Sequence, residues 1–375
     1  MRIGRVGSTS ASREAGRGPS MTDVASLAGV SCQTVSRVIN KHPHVTATTR
    51  SRVLAAIDVL GYRRNNVARA LVTGKSQTLG VVTLNSTLYG PASTLYGIEQ
   101  AALESDYFVT VASLRATDGP AVRDAVTRLV DQGVEGVVVI APVDSVADAL
   151  AELPAHFRVV AVDGGPDADI DVVTVDQRAG AEAATRHLLD LGHTSVWHVA
   201  GPTDWIDARD RTAGWRDTLE VAGIEVPPPL RGDWTLRSGL DAGHVLARMP
   251  EVTAVFVAND SMAVGVLRAF QERGVNVPGD ISVVGFDDVP EASYLAPALT
   301  TVRQDFGEVA RRSLELLLDQ IASGNRAAKR VVVGTTLVVR ESTSQVSPAS
   351  ASRGGRRHSG EPRNPMSKPV FERHR

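Results

Sequence analysis

Apolar residues in the N-terminal part of the chain recur at the spacing of three short helices. Between residues 21 and 62, hydrophobic side chains repeat every three or four positions, and a hydroxyl residue suited to cap a helix precedes each run. Gly29 supplies the backbone conformation for a tight turn after the first helix, and Gly61 ends the third. The pattern therefore predicts a helix-turn-helix unit. The predicted caps are Thr22, Ser31 and Thr46.

From residue 78 onward, short apolar runs alternate with amphipathic stretches. The runs of strand length are Leu79–Leu84, Phe108–Ser113, Gly136–Ile140, Val159–Val162, Val196–Ala200, Val255–Ala258 and Ile281–Phe286. Helical stretches lie between them, among them Val122–Asp131, Ala179–Leu191, Ala208–Ala222 and Met262–Arg273. Runs this apolar are typical of parallel strands buried on both faces. The body is longer than one sheet usually needs, so the pattern predicts two lobes.

The two ends of the chain have little to bury. Both are rich in Ser and Arg, with Gly at the start and Pro at the end, and we expect them to be disordered. The C-terminal end contains no leucine and therefore no heptad seam for a coiled coil. The predicted organisation is a disordered segment 1–19, a helix-turn-helix domain 20–63, a hinge helix and linker 64–76, a two-lobed body 77–344 and a disordered basic tail 345–375.

A net charge of −2 conceals a strong segregation of charge along the chain. Residues 21–75 contain eight Lys or Arg and two Asp, whereas residues 76–344 contain 21 basic and 37 acidic residues. A basic segment on an acidic body indicates a polyanion as the partner of the N-terminal unit alone.

Several classes of protein are excluded by composition. Cys32 is the single cysteine, so the chain has no intrachain disulfide and no Cys-rich metal site. No apolar run approaches the ~18–20 residues of a membrane span, and residues 1–20 lack the apolar centre of a secretory signal. We therefore expect a cytoplasmic, nucleoid-associated protein with no membrane partner, no metal and no cofactor.

The second predicted helix begins with side chains suited to a DNA groove. Cys32 and Gln33 open this helix, and Arg37 follows one turn later. Glutamine pairs with adenine and arginine with guanine through two hydrogen bonds each. Cys32 offers an apolar contact to a thymine methyl group, or serves only as a small filler residue.

The stretch from Thr22 to Asn40, TDVASLAGVSCQTVSRVIN, resembles the DNA-binding headpiece of the lactose/galactose repressor family. Residues 45–62 match the family's third helix, and residues 65–71, NNVARAL, match its hinge. The resemblance covers about residues 20–344. It implies a periplasmic-binding-protein-like body, a homodimer and a double-stranded, pseudo-palindromic operator as the DNA partner.

The resemblance also implies roles for individual residues of the headpiece and hinge. Leu71 would wedge into the minor groove at the central base step, with Asn65 and Ala68 beside it in the hinge. The alternative for Leu71 is burial in a permanently folded linker. The residues implied to position the phosphate backbone are Ser20, Ser31, Thr34, Ser36, Asn40 and Tyr62.

In the body, the resemblance implies an effector in the cleft between the lobes, beyond the carboxyl ends of the strands. The implied contacts are Asn85, Asp163, Arg211, Trp234, Asn259, Asp287 and Gln304. Structural alternatives stay open for each: a surface ion pair for Arg211, core packing for Trp234, a turn-forming pair for Asp287 and Asp288. Asp260 has the alternative of a helix N-cap.

This set of side chains suits a carbohydrate better than a purine. An aromatic face fits the apolar face of a sugar ring, while carboxylates and arginine bond two hydroxyls at once. Leu84 departs from the sugar-binding pattern, since a serine hydroxyl stands there in the lactose-type relatives. The ligand is therefore expected to differ from a simple galactoside.

The sequence thus predicts a repressor that a small carbohydrate releases from its operator. Alternatives are a ligand that acts as corepressor, as in purine-type relatives, or activation of some promoters. An enzyme is disfavoured, because the adjacency of Asp287 and Asp288 in sequence does not by itself place two carboxylates across a bond, as glycosidases need. No Gly-x-Ser-x-Gly, Walker A or His-Glu-x-x-His motif is present. A secreted sugar-binding protein would share the body but need a signal peptide and no headpiece.

Overall fold

The computed structural model describes residues 18–63, 74–84, 87–114, 119–140, 142–154, 156–164, 170–325 and 328–346. The chain divides into two units, Met1–Ser76 and Gln77–Arg375. The predicted disordered ends lie almost wholly outside the described residues, as do the three hinge positions and Asn85.

The headpiece contains three helices around a small apolar core. They are α1 (Met21–Ala28), α2 (Cys32–Ile39) and α3 (Ala47–Leu60). Val24, Val35 and Val53, one from each helix, are fully buried together. The core is fixed by a few aliphatic side chains because the helices are short and each presents one apolar face.

Two of the three predicted helix caps are confirmed and one is wrong. Ser31 and Thr46 each accept a hydrogen bond from the backbone N–H three residues on. The first helix is capped by Ser20, not Thr22: Ser20 accepts from the N–H of Asp23, whose carboxylate accepts from the N–H of Ser20 at 2.7 Å. This reciprocal pair satisfies two N–H groups at once and sets the helix start two residues earlier.

A left-handed glycine makes the turn between α1 and α2. Gly29 has φ of +63°, and its N–H bonds back to the carbonyls at the end of α1. A side chain would strain this conformation, so glycine is the residue that lets α2 follow α1 at once.

The body contains two six-stranded sheets, each covered by helices. The first lobe contains β1 (Thr78–Leu84), α4 (Tyr89–Glu104), β2 (Phe108–Leu114), α5 (Gly119–Asp131), β3 (Val137–Ile140), α6 (Asp144–Ala151), β4 (Val159–Val162), β5 (Asp171–Val175), α11 (Phe306–Ser323) and β11 (Arg330–Val333). The second lobe contains α7 (Gln177–Asp190), β6 (Trp197–Ala200), α8 (Ile206–Val221), β7 (Leu230–Arg231), α9 (Leu236–Leu246), β8 (Ala254–Val257), α10 (Asp260–Glu272), β9 (Ser282–Asp287), a 3-10 turn (Pro290–Tyr294), β10 (Thr300–Gln304) and β12 (Thr335–Val338).

The two-lobed α/β architecture with mostly parallel sheets confirms the predicted fold class. The strand orders are β11-β5-β4-β3-β1-β2 and β12-β10-β9-β8-β6-β7. All pairings are parallel except that of β10 with β12. The seven predicted strands are present, each within a residue of its predicted ends.

Three segments connect the lobes, and they lie side by side. They follow β5, β10 and β11. The first and third are joined where the N–H of Asp176 donates to the carbonyl of Val333 at 2.9 Å. The second and third are joined where Gln304 pairs with Thr335 in the second sheet. The crossovers therefore form one hydrogen-bonded strap between the lobes.

In the second lobe, α9 and α10 are in backbone contact. A Cβ atom on Gly239 would lie 2.1 Å from the carbonyl oxygen of Met262, and one on Gly265 would lie 2.1 Å from that of Leu236. Both distances are far inside van der Waals contact, so the two helices approach this closely only because each has glycine there.

We expect Gly239→Ala to lower the free energy of unfolding of the body by about 1–3 kcal/mol, because the added methyl group must separate two packed helices. Thermal unfolding of the full chain measures this as a fall in Tm. Gly279→Ala is the control, since a Cβ there meets its nearest neighbour at 3.6 Å. Equal Tm values for the two variants would contradict the packing argument.

Candidate DNA-binding face and effector cleft

One side of α2 is buried and the other is open to solvent. Val35 and Val38 are buried against α1 and α3. Gln33, Arg37 and Asn40 are exposed and follow the i, i+4, i+7 spacing, which places them on one face of the helix. This face presents the two base-reading side chains predicted from the sequence.

The hydroxyl and thiol groups around this face form local contacts. The hydroxyls of Ser31 and Thr34 are 3.0 Å apart, and the Asn40 amide donates to Ser36 at 3.3 Å. The exposed thiol of Cys32 lies 3.8 Å from a threonine hydroxyl of α1.

The remaining predicted phosphate contacts lie at the two ends of the headpiece. Ser20 caps α1, so its hydroxyl already has partners, and Tyr62 is half-buried against the headpiece core after α3. All six predicted phosphate-contact residues therefore belong to this unit. Which of them touch DNA stays a prediction.

A cavity lies between the two lobes of the body. Apolar side chains of the first lobe form one wall, among them Ile140 and Val175. The six described residues of the predicted effector set all line it: Asp163, Arg211, Trp234, Asn259, Asp287 and Gln304. A concave, mostly apolar cavity with a few convergent polar groups is typical of a small-molecule site.

Arg211 organises the polar floor of this cavity. Its side chain is 4% exposed, and its Nε donates to Gln177 Oε1 at 2.9 Å. Gln177 Nε2 donates to Gln304 Oε1 at 2.9 Å, and Gln304 Nε2 donates to Asp287 Oδ1 at 2.7 Å. That carboxylate oxygen lies 3.7 Å from Arg211 Nη1, and this contact closes a ring of four side chains.

The surface ion pair considered for Arg211 is therefore wrong, because the guanidinium is buried. It lies 3.9 Å from the centre of the Phe286 ring. A buried arginine needs several acceptors, and here a carboxylate, an amide oxygen and the carbonyl of Ala258 supply them.

Burial raises the pKa of each cleft carboxyl group. The pKa of Asp287 rises to about 6, although Arg211 and Gln304 oppose the shift. Burial also raises the pKa of Asp163, against the hydrogen bond that Thr174 donates to it at 2.8 Å. These carboxyl groups are therefore easier to protonate than free aspartate.

Four residues in and beside the cleft have a positive φ without being glycine. They are Asp163 (+57°), Trp234 (+73°), Asp287 (+118°) and Asp288 (+55°). Such conformations cost about 1–3 kcal/mol each and persist where the surrounding structure imposes them. The strained backbone turns three of these side chains into the cavity, and Asp288 instead pairs with Arg303 and Arg340.

Asn259, not Asp260, caps α10. Asn259 accepts from the N–H of Met262 at 2.9 Å and donates to the carbonyl of Trp234 at 3.2 Å. Asp260 is fully buried within the helix and accepts from Thr301 Oγ1 at 2.6 Å and from the N–H of Val289 at 2.9 Å. The asparagine reaches both the helix N-terminus and the cavity because it precedes the first helical residue.

Trp234 is both packed and part of the cavity wall. It is 5% exposed and meets Trp205 edge to face at 5.6 Å between ring centroids. Its Nε1 has no hydrogen-bond partner among the described residues. The two alternatives for this residue, core packing and cleft lining, are thus realised together.

Sequence reasoning missed several lining residues. Asp207 lies one helical turn before Arg211 in α8, so the i, i+4 spacing to a predicted ligand contact was an available signal. Trp205, Tyr89 and Phe306 supply aromatic walls that no motif marked. Within the described ranges, no group of three His, Cys, Asp or Glu side chains is arranged to hold a metal ion, and no helix has the length and hydropathy of a membrane span.

Comparison with known proteins agrees with both units. Residues 20–65 match the family described as bacterial regulatory proteins, lacI family, and residues 185–343 match the periplasmic binding protein-like domain. The lactose operon repressor of Escherichia coli (strain K12) is 36% identical over 324 residues, which cover 86% of this chain and 89% of that protein. The regulator CelR of Thermobifida fusca is 35% identical over 339 residues, 87% and 98% of the two chains.

Two solved structures show the same architecture. The lac repressor dimer bound to operator and the anti-inducer ONPF has a TM-score of 0.78 and 34% identity, covering 88% of this chain and all of that one. The CelR–cellobiose complex has a TM-score of 0.65 and 33% identity, covering 86% and 99%. The chain therefore belongs to the LacI family of bacterial regulatory proteins.

Proposed function

We propose that the protein is a homodimeric transcriptional repressor that a small carbohydrate releases from a palindromic operator. The observation that carries this proposal is the ring of Arg211, Gln177, Gln304 and Asp287 on the floor of the cleft. The dimer and the operator are supported by the lac repressor structure, and the sugar is supported by the complex of CelR with cellobiose.

The cleft offers the groups that sugar recognition needs. Asp287 and Asn259 present oxygens and an amide at the floor, and the Trp234 ring forms part of the wall. Neighbouring hydroxyls of a sugar both donate and accept, so they suit a carboxylate next to a guanidinium.

The ring also connects the ligand to the strap between the lobes. Gln177 is the first residue of α7 and Gln304 is the last residue of β10, so each lies at the second-lobe end of a crossover, and their hydrogen bond joins these two ends. A sugar that bonds Arg211, Asp287 or Gln304 competes for the hydrogen bonds of the ring. A coupling of about 1–3 kcal/mol between cleft and DNA changes operator affinity by roughly 5–150-fold.

Gln33 and Arg37 would read bases from the exposed face of α2. We expect Gln33→Ala to weaken binding to the preferred operator by about 1–3 kcal/mol, and to remove discrimination at one base pair. The operator is first selected from random duplex DNA with the full chain. Fluorescence anisotropy on single-base variants then measures the discrimination.

Arg52→Ala is the control for charge, because Arg52 is exposed and lies on α3, not on α2. It should weaken all operator variants by a similar factor. If Gln33→Ala likewise weakens all variants equally, Gln33 reads no base.

Leu71 lies outside the described residues, and its wedge role rests on the family resemblance. We expect Leu71→Ala to weaken operator binding at least tenfold, because the methyl group cannot hold the central base step open. Effector binding to the same variant should stay unchanged. Unaltered operator affinity would exclude the wedge.

Arg211→Lys tests the cleft. The lysine keeps the charge beside Asp287 but cannot bond two acceptors in one plane, so we expect at least a tenfold loss of effector affinity with operator affinity preserved. A thermal-shift screen of the full chain with lactose, cellobiose, ribose, adenine and guanine supplies the ligand, and calorimetry measures its affinity.

Arg216→Lys is the matched control, since Arg216 lies on the same helix and is exposed. It should behave as the parent. Normal effector affinity of Arg211→Lys would remove Arg211 from the site, and tighter operator binding with ligand would replace release by corepression.

A further inference from the structure

Asp207 presents an acceptor that the protein leaves unused. The residue lies in the first turn of α8 and lines the interlobe cavity. Its Oδ1 is sealed from solvent and has no hydrogen-bond partner in the described part of the chain. A buried polar atom without a partner in the protein is rare, and on a residue that lines a cavity it is available to bond a ligand.

A donor in the same cavity is also unused. Trp234 is 5% exposed, and its Nε1 is buried without a partner among the described residues. Asp207 belongs to α8 and Trp234 to the segment between β7 and α9, yet both residues line one cavity. A ligand that donates to Asp207 and accepts from Trp234 satisfies both.

The net charge of the side chains that line the cavity indicates which ligands it favours. Asp163, Asp207 and Asp287 line the cavity, and Arg211 is the one cation among its described lining residues. Arg211 is already held by Gln177 and lies 3.7 Å from Asp287. With all three carboxyl groups ionised the lining has a formal charge of −2, which is costly in a desolvated site unless a cation or protons compensate it.

The pKa of Asp207 reflects this excess of negative charge in the lining. Burial, and next the negative charge of Asp163, raise the pKa of Asp207 well above its usual range, although Arg211 opposes the shift. A positive group on the ligand favours the ionised carboxylate, so it replaces the proton that otherwise neutralises the site. The first turn of a helix supports the same charge state.

We propose that the effector is an amino sugar, whose ammonium group donates to Asp207 Oδ1 and one of whose oxygens accepts from Trp234 Nε1. The inference rests on the proposed sugar-released repressor and names its substrate class. A neutral sugar bonds the oxygen of Asp207 but leaves protons to neutralise the lining, whereas the ammonium group of an amino sugar pairs with the ionised carboxylate. A sugar phosphate or a uronic acid adds a further negative charge, and the cavity disfavours both.

The test compares sugars that differ at one substituent. Calorimetry on the full chain uses D-glucosamine, D-glucose and N-acetyl-D-glucosamine, the matching galactose series, and the β-1,4-linked disaccharide of glucosamine against cellobiose. At pH 6 an α-amino group keeps its proton. In at least one series, we expect the amine to bind at least tenfold more tightly than both the hydroxyl and the acetamide analogue.

Two variants test whether Asp207 causes the preference for the amine. Asp207→Asn keeps a hydrogen-bonding group but removes the charge, and we expect it to bind the amine and the hydroxyl analogue equally. Asp204→Asn, at an exposed aspartate just before α8, should keep the preference of the parent. Operator affinity of both variants reports that they fold.

Each other outcome overturns a defined statement. If the neutral or acetylated sugar binds as tightly as the amine, the effector is not an amino sugar, while release by sugar stands. If the preference survives in Asp207→Asn, Asp207 does not select it. If none of these sugars binds, the amino-sugar inference fails, while the proposed function depends on whether a sugar found in the thermal-shift screen releases the operator.

Discussion

The arrangement of polar groups in the cleft depends on the contacts of the buried Arg211 guanidinium. A positive charge this deep in the body requires acceptors, and those it finds belong to α7, β9 and the residue that precedes Asn259. Two side chains of the ring, Gln177 at the start of α7 and Gln304 at the end of β10, stand beside two of the crossovers, so the same hydrogen bonds that stabilise the charge also hold the second-lobe ends of these crossovers together. The binding groups and the strap between the lobes are therefore connected in this chain.

Much of the architecture was predictable from local pattern. The apolar runs of β1, β3 and β4 are buried on both faces, which is why they were visible as continuous hydrophobic stretches. By contrast β10 contains Thr, Arg and Gln, and β12 contains two Thr. Their antiparallel pairing depends on the last crossover, which no local pattern encodes. The cap of α1 was misassigned because Ser20 and Thr22 are both good caps, and only the reciprocal bond with Asp23 decides between them.

The charged residues of the site were predictable from the sequence, but the hydrogen bonds that join the side chains of the site were not. Polar residues at strand ends and the family resemblance indicated Asp163, Arg211 and Asp287, which the fold does bring to one cavity. The role of Gln177 depends on the crossing of two segments that lie 127 residues apart in sequence, so it follows only from the tertiary structure. Asp207 was not singled out from the sequence, because the feature that marks it is a buried carboxylate oxygen without a hydrogen-bond partner among the described residues, which only the structure shows.

The strap of three adjacent crossovers has a mechanical consequence. Two bodies joined by one flexible peptide rotate about any axis, whereas three tethers in a row leave a single easy axis, which runs along the row. The hydrogen bond between Asp176 and Val333 and the antiparallel pairing of β10 with β12, which sets Gln304 opposite Thr335, keep this row together. Opening of the cleft is then described by one angle, so ligands of different shape move the lobes along the same path and differ only in how far they shift the equilibrium along it.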